Sequence, residues 1–266
     1  MRQYIVLLAV LLLGCAQQQS AQQNTWKPVT VTQQQAPESK PPSATFTPDT
    51  TPPISDAPVT SSKWPSAFKR RSYQLGITIS QFKTIRHPDA NVWPNPFPVF
   101  SNEARATNNT RLHDAMIYGD WAKAGVIKCH YFYNDKYTAG YSGVGLMLGD
   151  IGSVTNFYFL PENEGKEPVL FFIESGGPTE EFGQTVKLYR QAMGEPTRIY
   201  SEPVQNKLGA TFTNEIIIYQ NDVSMIRISR FGDTLRVLKV EYILLPVMEQ
   251  LSQRLGSLDQ EKSRNL

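Results

Sequence analysis

The sequence has few of the residues that catalytic and metal-binding sites usually need. Cysteine occurs only twice, at Cys15 and Cys129, and histidine only three times. No two histidines have the H-x-x-x-H or H-E-x-x-H spacing of helical zinc sites, and the G-x-S-x-G turn of serine hydrolases is missing. We therefore predict a protein that is not an enzyme and that has no catalytic residue, metal or cofactor.

An excess of charge of one sign is also missing. The chain has 26 Lys and Arg against 24 Asp and Glu, a formal net charge of +2. Without a strong positive field the chain has little to attract a phosphate backbone, so we do not expect a nucleic-acid partner. Cys129 lies in an apolar, strand-like run, which predicts a buried thiol.

A long apolar run is missing as well, and the one short run lies at the N-terminus. Ile5 to Leu13 is about nine residues, whereas a membrane-spanning helix needs roughly 20. Arg2 precedes this run, small Gly14 ends it, and a polar stretch follows. Such a segment is typical of a secretory signal. Its end, Leu12-Leu13-Gly14-Cys15, resembles the lipobox of bacterial lipoproteins.

The lipobox resemblance implies that a lipid anchors the protein to a membrane, and it indicates which membrane. Residues 1–14 would be a removed signal peptide, and the thiol of Cys15 would carry a diacylglycerol, with palmitate among its acyl chains. One acyl chain binds a bilayer only marginally, and two or more anchor a protein stably. Ala16 stands where an aspartate would retain a lipoprotein in the inner membrane. We thus expect the outer membrane with the domain facing the periplasm, the alternatives being the outer face of the inner membrane or the cell surface.

Composition divides the remaining chain into a linker, a domain and a tail. Residues 15–65 are dominated by Gln, Pro, Thr, Ser and Ala with scattered large apolar residues, which predicts a disordered linker. Residues 66–258 carry the periodic apolar patterns of a globular domain, long enough for one core. We predict that 259–266 is a disordered tail.

The domain patterns predict an α+β fold, an antiparallel sheet with a few packed helices. Strands are predicted at 125–133, 154–160, 168–173, 197–201, 210–220, 223–231 and 235–244, and helices at 80–85, 179–193 and 246–255. Ser80 is the predicted N-cap of the first helix, and residues 88–110, which are rich in proline, are predicted to form an irregular loop. The order indicates a duplicated helix-then-meander unit. It resembles small periplasmic lipoproteins of the BamE type and β-lactamase-inhibitor-like modules, in element order alone, so no functional residue is carried over.

Three readings of function follow. We favour a membrane-anchored, non-catalytic protein-interaction or structural module that binds another envelope protein. The first alternative is a periplasmic binding protein for a small apolar or glycan ligand, using Trp93, Phe97 and Phe100 and the glycine-rich segment 140–152. The second is an envelope hydrolase with an unrecognised site, for which His113 beside Asp114 is the one candidate.

Overall fold

The computed structural model describes residues 63–64, 66–107, 110–135, 140–148 and 151–264. The predicted signal peptide, Cys15 and most of the predicted linker therefore lie outside the described residues. The fold is α+β with an antiparallel sheet, as the sequence predicted.

The elements follow one another along the chain in two similar series. Twelve strands are described: β1 Lys69–Arg70, β2 Tyr73–Gln74, β3 Phe97–Phe100, β4 Ile127–Asp135, β5 Gly140–Val144, β6 Leu146–Leu148, β7 Ile151–Leu160, β8 Val169–Pro178, β9 Arg198–Gln205, β10 Thr211–Gln220, β11 Ser224–Ser229 and β12 Val237–Leu244. The α-helices are α1 Ile79–Thr84, α2 Ser101–Thr107, α3 Gly119–Lys123, α4 Phe182–Met193 and α5 Leu245–Arg264, with short 3-10 helices at Thr110–Ala115 and Thr179–Glu181.

Two meanders share one sheet, whose order is β3-β4-β7-β8-β12-β11-β10-β9. Helix α1 precedes the first meander, β3-β4-β7-β8, and helix α4 precedes the second, β9-β10-β11-β12. Their last strands, β8 and β12, pair with each other and join the two halves. This topology has the helix-then-meander repeat that the sequence indicated. Strands β5 and β6 extend the pairing of β4 and β7 at one end.

One face of the sheet packs against α1 and α4, because alternate residues of each strand point toward these helices. Phe82 of α1 is fully buried there and packs its ring against those of Phe157 and Phe159, with centroids 5.0 and 5.1 Å away. In the second half, Tyr189 of α4 lies over β12, where its hydroxyl is 2.6 Å from that of Tyr242. Burying a large apolar side chain contributes about 1.5–3 kcal/mol, so these helices are held by their inward aromatic residues. On the opposite face of the first half, a second buried cluster is formed by Val99, Ala104, Leu112, Ala115 and Phe132.

The described part of the glycine-rich segment forms β5 and β6, which meet at Gly145. A Cβ atom on Gly145 would lie 1.3 Å from the backbone oxygen of Ser153, so only glycine fits where the two chains cross. Arg71 and Asp89 hold β6, which follows Gly145: the carboxylate of Asp89 accepts the N–H of Met147 at 2.9 Å, and the guanidinium of Arg71 donates to the carbonyl of Met147. Both flanking apolar residues, Val144 and Leu146, are buried.

Several element boundaries differ from the sequence prediction. The C-terminal helix continues to Arg264, so most of the predicted disordered tail 259–266 is helical; this part of the chain lacks proline and is rich in helix-forming residues. Helix α1 begins after Thr78, not after Ser80, because Thr78 and Gln81 form a reciprocal capping box. The predicted irregular loop 88–110 contains β3 and α2.

Candidate functional site: the free edge of the sheet

Strand β9 is the last strand of the sheet and has no strand on its outer side among the described residues. From Ile199 onward its residues alternate between exposed and half-buried positions, and none of its eight residues is fully buried. Ile199 keeps 48% of its surface exposed. The strand contains no lysine, the residue that commonly protects sheet edges, although it does contain Pro203. This is an edge with unpaired backbone groups and partly apolar side chains.

Hydrogen bonds show which backbone groups of β9 point outward. Asn206, which follows β9, donates its N–H to the carbonyl of Ala210. Because every second residue of an antiparallel strand bonds to the same neighbour, the even-numbered residues of β9 direct their backbone groups to β10. On the other side of β10, Arg230 donates to the carbonyl of Glu215, which agrees with the same alternation. The odd-numbered residues, Ile199 and Ser201 among them, therefore direct their N–H and C=O groups to the open side. Pro203 is also odd-numbered, so its missing N–H costs the existing sheet nothing.

The far half of the β9–β10 hairpin projects beyond the sheet. Strand β11 pairs with β10 only from Ile216 onward, whereas β9 pairs with it from Thr211. The projecting part, which we call the arm, comprises residues 202–215. At its tip the side chain of Asn206 accepts the N–H groups of Leu208 and Ala210, at 3.0 and 2.9 Å.

The arm carries apolar side chains that the domain covers only in part. Leu208 at the tip is 92% exposed, and Phe212 is 37% exposed with its ring centre 6.3 Å from that of Phe231. Gly209 has φ of +83°, the left-handed conformation that closes the turn and leaves Leu208 outermost. Exposed large apolar residues on a projecting element are typical of surfaces that bind another protein.

The charges of β9 are placed on one side of the strand. The guanidinium of Arg198 lies 4.7 Å from the ring centre of Tyr200 and has no ion-pair partner in the part of the chain that the structure describes. Glu202 lies 3.6 Å from Arg227 and accepts a hydrogen bond from Asn214, with its side chain 43% exposed. Arg198, Tyr200 and Glu202 are all even-numbered, so they share one face.

A row of polar side chains crosses the middle of the sheet on this same face. Neighbouring strands place five of them directly opposite one another: His130, Asn156, Glu174, Glu241 and Arg227. The nearly complete burial of His130 and Glu241, 3% and 2% exposed, keeps substrates from reaching them. We interpret the row as a structural network across the junction of the two meanders.

The two carboxylates of this row have opposite electrostatic environments. Burial raises the pKa of Glu241 above its ordinary value, against the opposing effect of Arg227. Burial alone would also raise the pKa of Glu174, but Lys239 at 2.7 Å and hydrogen bonds from Lys239, Tyr158 and Asn156 lower it overall. Glu174 is thus held ionised by its partners at the β8–β12 junction.

The three aromatic residues of the predicted ligand surface do not form one groove. Phe100 is buried in the core, with its ring 5.7 Å from that of Phe159. Phe97 is three residues earlier on the same strand, so it points to the opposite face, where its ring meets that of Tyr141. Trp93 is half-buried against Tyr133. The predicted lipidation residue, Cys15, lies outside the described residues.

The remaining sequence candidates lie in separate places. His113 and Asp114 are exposed on the 3-10 helix Thr110–Ala115, and the ring of His113 lies against Tyr118. Cys129 is a fully buried free thiol, as predicted, and burial raises its pKa well above the ordinary value. The described pockets of about 350 and 380 Å³ open on the surface of α4, away from the aromatic residues that the sequence selected.

Comparisons with known protein families, with curated proteins and with solved structures found no match to the chain. Within the described ranges, no helix combines the length and apolar character needed to cross a bilayer. In the same ranges, no cluster of three or more His, Cys, Asp or Glu side chains is arranged to hold a metal ion.

Proposed function

We propose that the chain is a lipid-anchored protein of the bacterial envelope, held by an acylated Cys15, whose folded domain is a non-catalytic module that docks onto an envelope protein. The lipobox-like segment supports the anchor. The free edge of β9, with the projecting arm beside it, is the observation that carries the docking function.

The physical basis is the unpaired backbone of β9. Outward N–H and C=O groups of an edge strand can bond to a strand of another chain, and pockets between alternate side chains then give specificity. Exposed Leu208 and Phe212 would supply apolar contacts beside that ladder. A partner at the edge would thereby cover both the free backbone groups and the apolar side chains of the arm.

The proposed anchor makes weak docking effective. Two proteins held to the same bilayer meet at a raised effective concentration, so a contact of modest affinity can be well populated. A short linear edge suits this situation, because it buries less surface than the standard interface of about 1,600 Å².

Photo-cross-linking in the native bacterium tests the docking function. A photoreactive phenylalanine analogue replaces Phe212 on the arm, and the matched control carries it at Lys187, an exposed position on α4. We expect a discrete adduct of defined mass from position 212 and none from position 187. Equal labelling at both positions, or none from the arm, would refute the docking function.

Fatty-acid labelling tests the anchor separately. Cys15→Ser should leave a precursor of unchanged N-terminus that incorporates no labelled palmitate, whereas the unaltered chain incorporates it. Normal labelling of the Cys15→Ser variant would show that the lipobox-like segment is not the lipidation site.

A further inference from the structure

We infer that the occupant of the β9 edge is a second copy of this chain, paired antiparallel through β9 about a two-fold axis at Tyr200. This inference rests on the proposed docking function, because it names the partner of the same edge. It follows from the direction of the backbone groups and from the order of charges along the strand.

The backbone restricts the possible pairings. In a two-fold antiparallel pair of one strand with itself, residues that lie opposite each other have numbers with a constant, even sum. The outward groups of β9 belong to its odd-numbered residues, so these must form the new hydrogen-bonded pairs. With Tyr200 opposite its own copy, Ile199 lies opposite Ser201 and each exchanges two hydrogen bonds with the other.

The charged side chains of β9 favour one register among the pairings that the backbone allows. With Tyr200 at the centre, Arg198 of each copy lies opposite Glu202 of the other, on the same face. Moving the centre to Ser201 places Arg198 opposite Val204, and moving it to Glu202 places two like carboxylates together. Opposite charges directly across a ladder stabilise it and like charges destabilise it, so the Tyr200 register is favoured.

The residues concerned are available for these contacts. Arg198 is exposed and lacks an ion-pair partner in the described part of the chain, and Glu202 keeps 43% of its side chain exposed beside Arg227. Pro203 of each copy would lie opposite Thr197 of the other copy. Each of these two pairs lacks the N–H donor that proline does not have, but keeps the Pro203 carbonyl as an acceptor. Exposed Ile199 would be partly covered by the opposing strand.

Disulfide trapping tests both the partner and the register. The full chain is expressed in its native bacterium with single cysteines on β9, and the envelope is treated with a mild thiol oxidant. Tyr200→Cys should give a disulfide-linked dimer, because the two residues are opposite each other in a non-hydrogen-bonded pair with Cα atoms about 4.5 Å apart. Buried Cys129 is a poor competitor for this reaction.

Matched controls fix the register. Arg198→Cys and Glu202→Cys should each give no dimer alone, since each lies four residues from its own copy, on the order of 13 Å. Co-expressed, the two variants should give a mixed dimer. Failure of Tyr200→Cys to cross-link, or equal cross-linking by all three single variants, would overturn the inference.

Charge reversal gives a second, independent measurement. Arg198→Glu should weaken self-association of the purified full chain by about tenfold or more, and adding Glu202→Lys should restore most of it. Unchanged association in Arg198→Glu would contradict the inference. If the disulfides fail while position 212 still captures a different envelope protein, the second-copy inference falls and the docking function stands.

Discussion

Gly145→Ala is the substitution whose effect the structure specifies most completely. The new Cβ would lie 1.3 Å from the backbone oxygen of Ser153, far inside any contact that real atoms make. The atom it meets is backbone, so no side chain can move aside. The β5–β6 corner must therefore separate from β7.

That separation removes a defined set of interactions. Ser153 donates its hydroxyl to the carbonyl of Leu146 at 2.6 Å, and the N–H of Leu146 donates to Thr155 at 3.2 Å. Each hydrogen bond contributes about 1 kcal/mol net, and exposure of the fully buried Leu146 side chain costs about 1.5–3 kcal/mol. We therefore expect a loss of about 3–5 kcal/mol in the free energy of unfolding.

Thermal unfolding measures this loss directly. A domain of this size changes its Tm by about 2–4 °C for each kcal/mol, so Gly145→Ala should lower Tm by roughly 6–20 °C. The matched control is Gly183→Ala, in the exposed face of α4, where the added Cβ meets nothing within 4 Å. That control should raise stability by about 0.5–1 kcal/mol. If the two alanine variants unfold at the same temperature, the close approach of Gly145 to the backbone of Ser153 is contradicted.

Two further substitutions test local features of the domain. Glu174→Gln should cost about 2 kcal/mol at pH 7 by removing charged hydrogen bonds to Lys239. Because the folded pKa of Glu174 is lowered, this stabilisation is fully present above its ordinary value of 4.5 and is lost as pH falls through the folded pKa, so the two Tm values should converge as the pH is lowered well below 4.5. A Tm difference that stays constant with pH would contradict this account. Thr78→Ala should remove the capping box of α1 and lower the free energy of unfolding by about 1 kcal/mol in urea titrations, whereas Ser80→Ala should change it little.

Local patterns predicted most of the regular structure. The β-branched and aromatic runs indicated β7, β8, β10 and β12 because alternate residues face one core. The apolar spacing Phe182, Val186, Tyr189 and Met193 indicated α4. The T-x-x-Q signal of the α1 capping box was also present at Thr78 and Gln81, although Ser80 was chosen from the sequence. In each case the determining residues are near neighbours along the chain.

The free edge was not predictable from local pattern, because it depends on which strands become neighbours. Pairing of β8 with β12 turns two meanders into one sheet and leaves β9 at its end. The same pairing places Glu174 opposite Glu241 and so creates the buried charged row. One local signal for the arm did exist: Asn206 and Gly209 are turn-forming residues between two apolar runs.

The most direct measurement is the intact mass of the species captured through the arm in its native host. With the photoreactive residue at position 212, the account predicts a covalent adduct whose N-terminus is Cys15 bearing acyl mass and whose second component is an envelope protein. An adduct chain that starts elsewhere or carries no acyl group would contradict the anchor, and the absence of any protein adduct would contradict the docking edge.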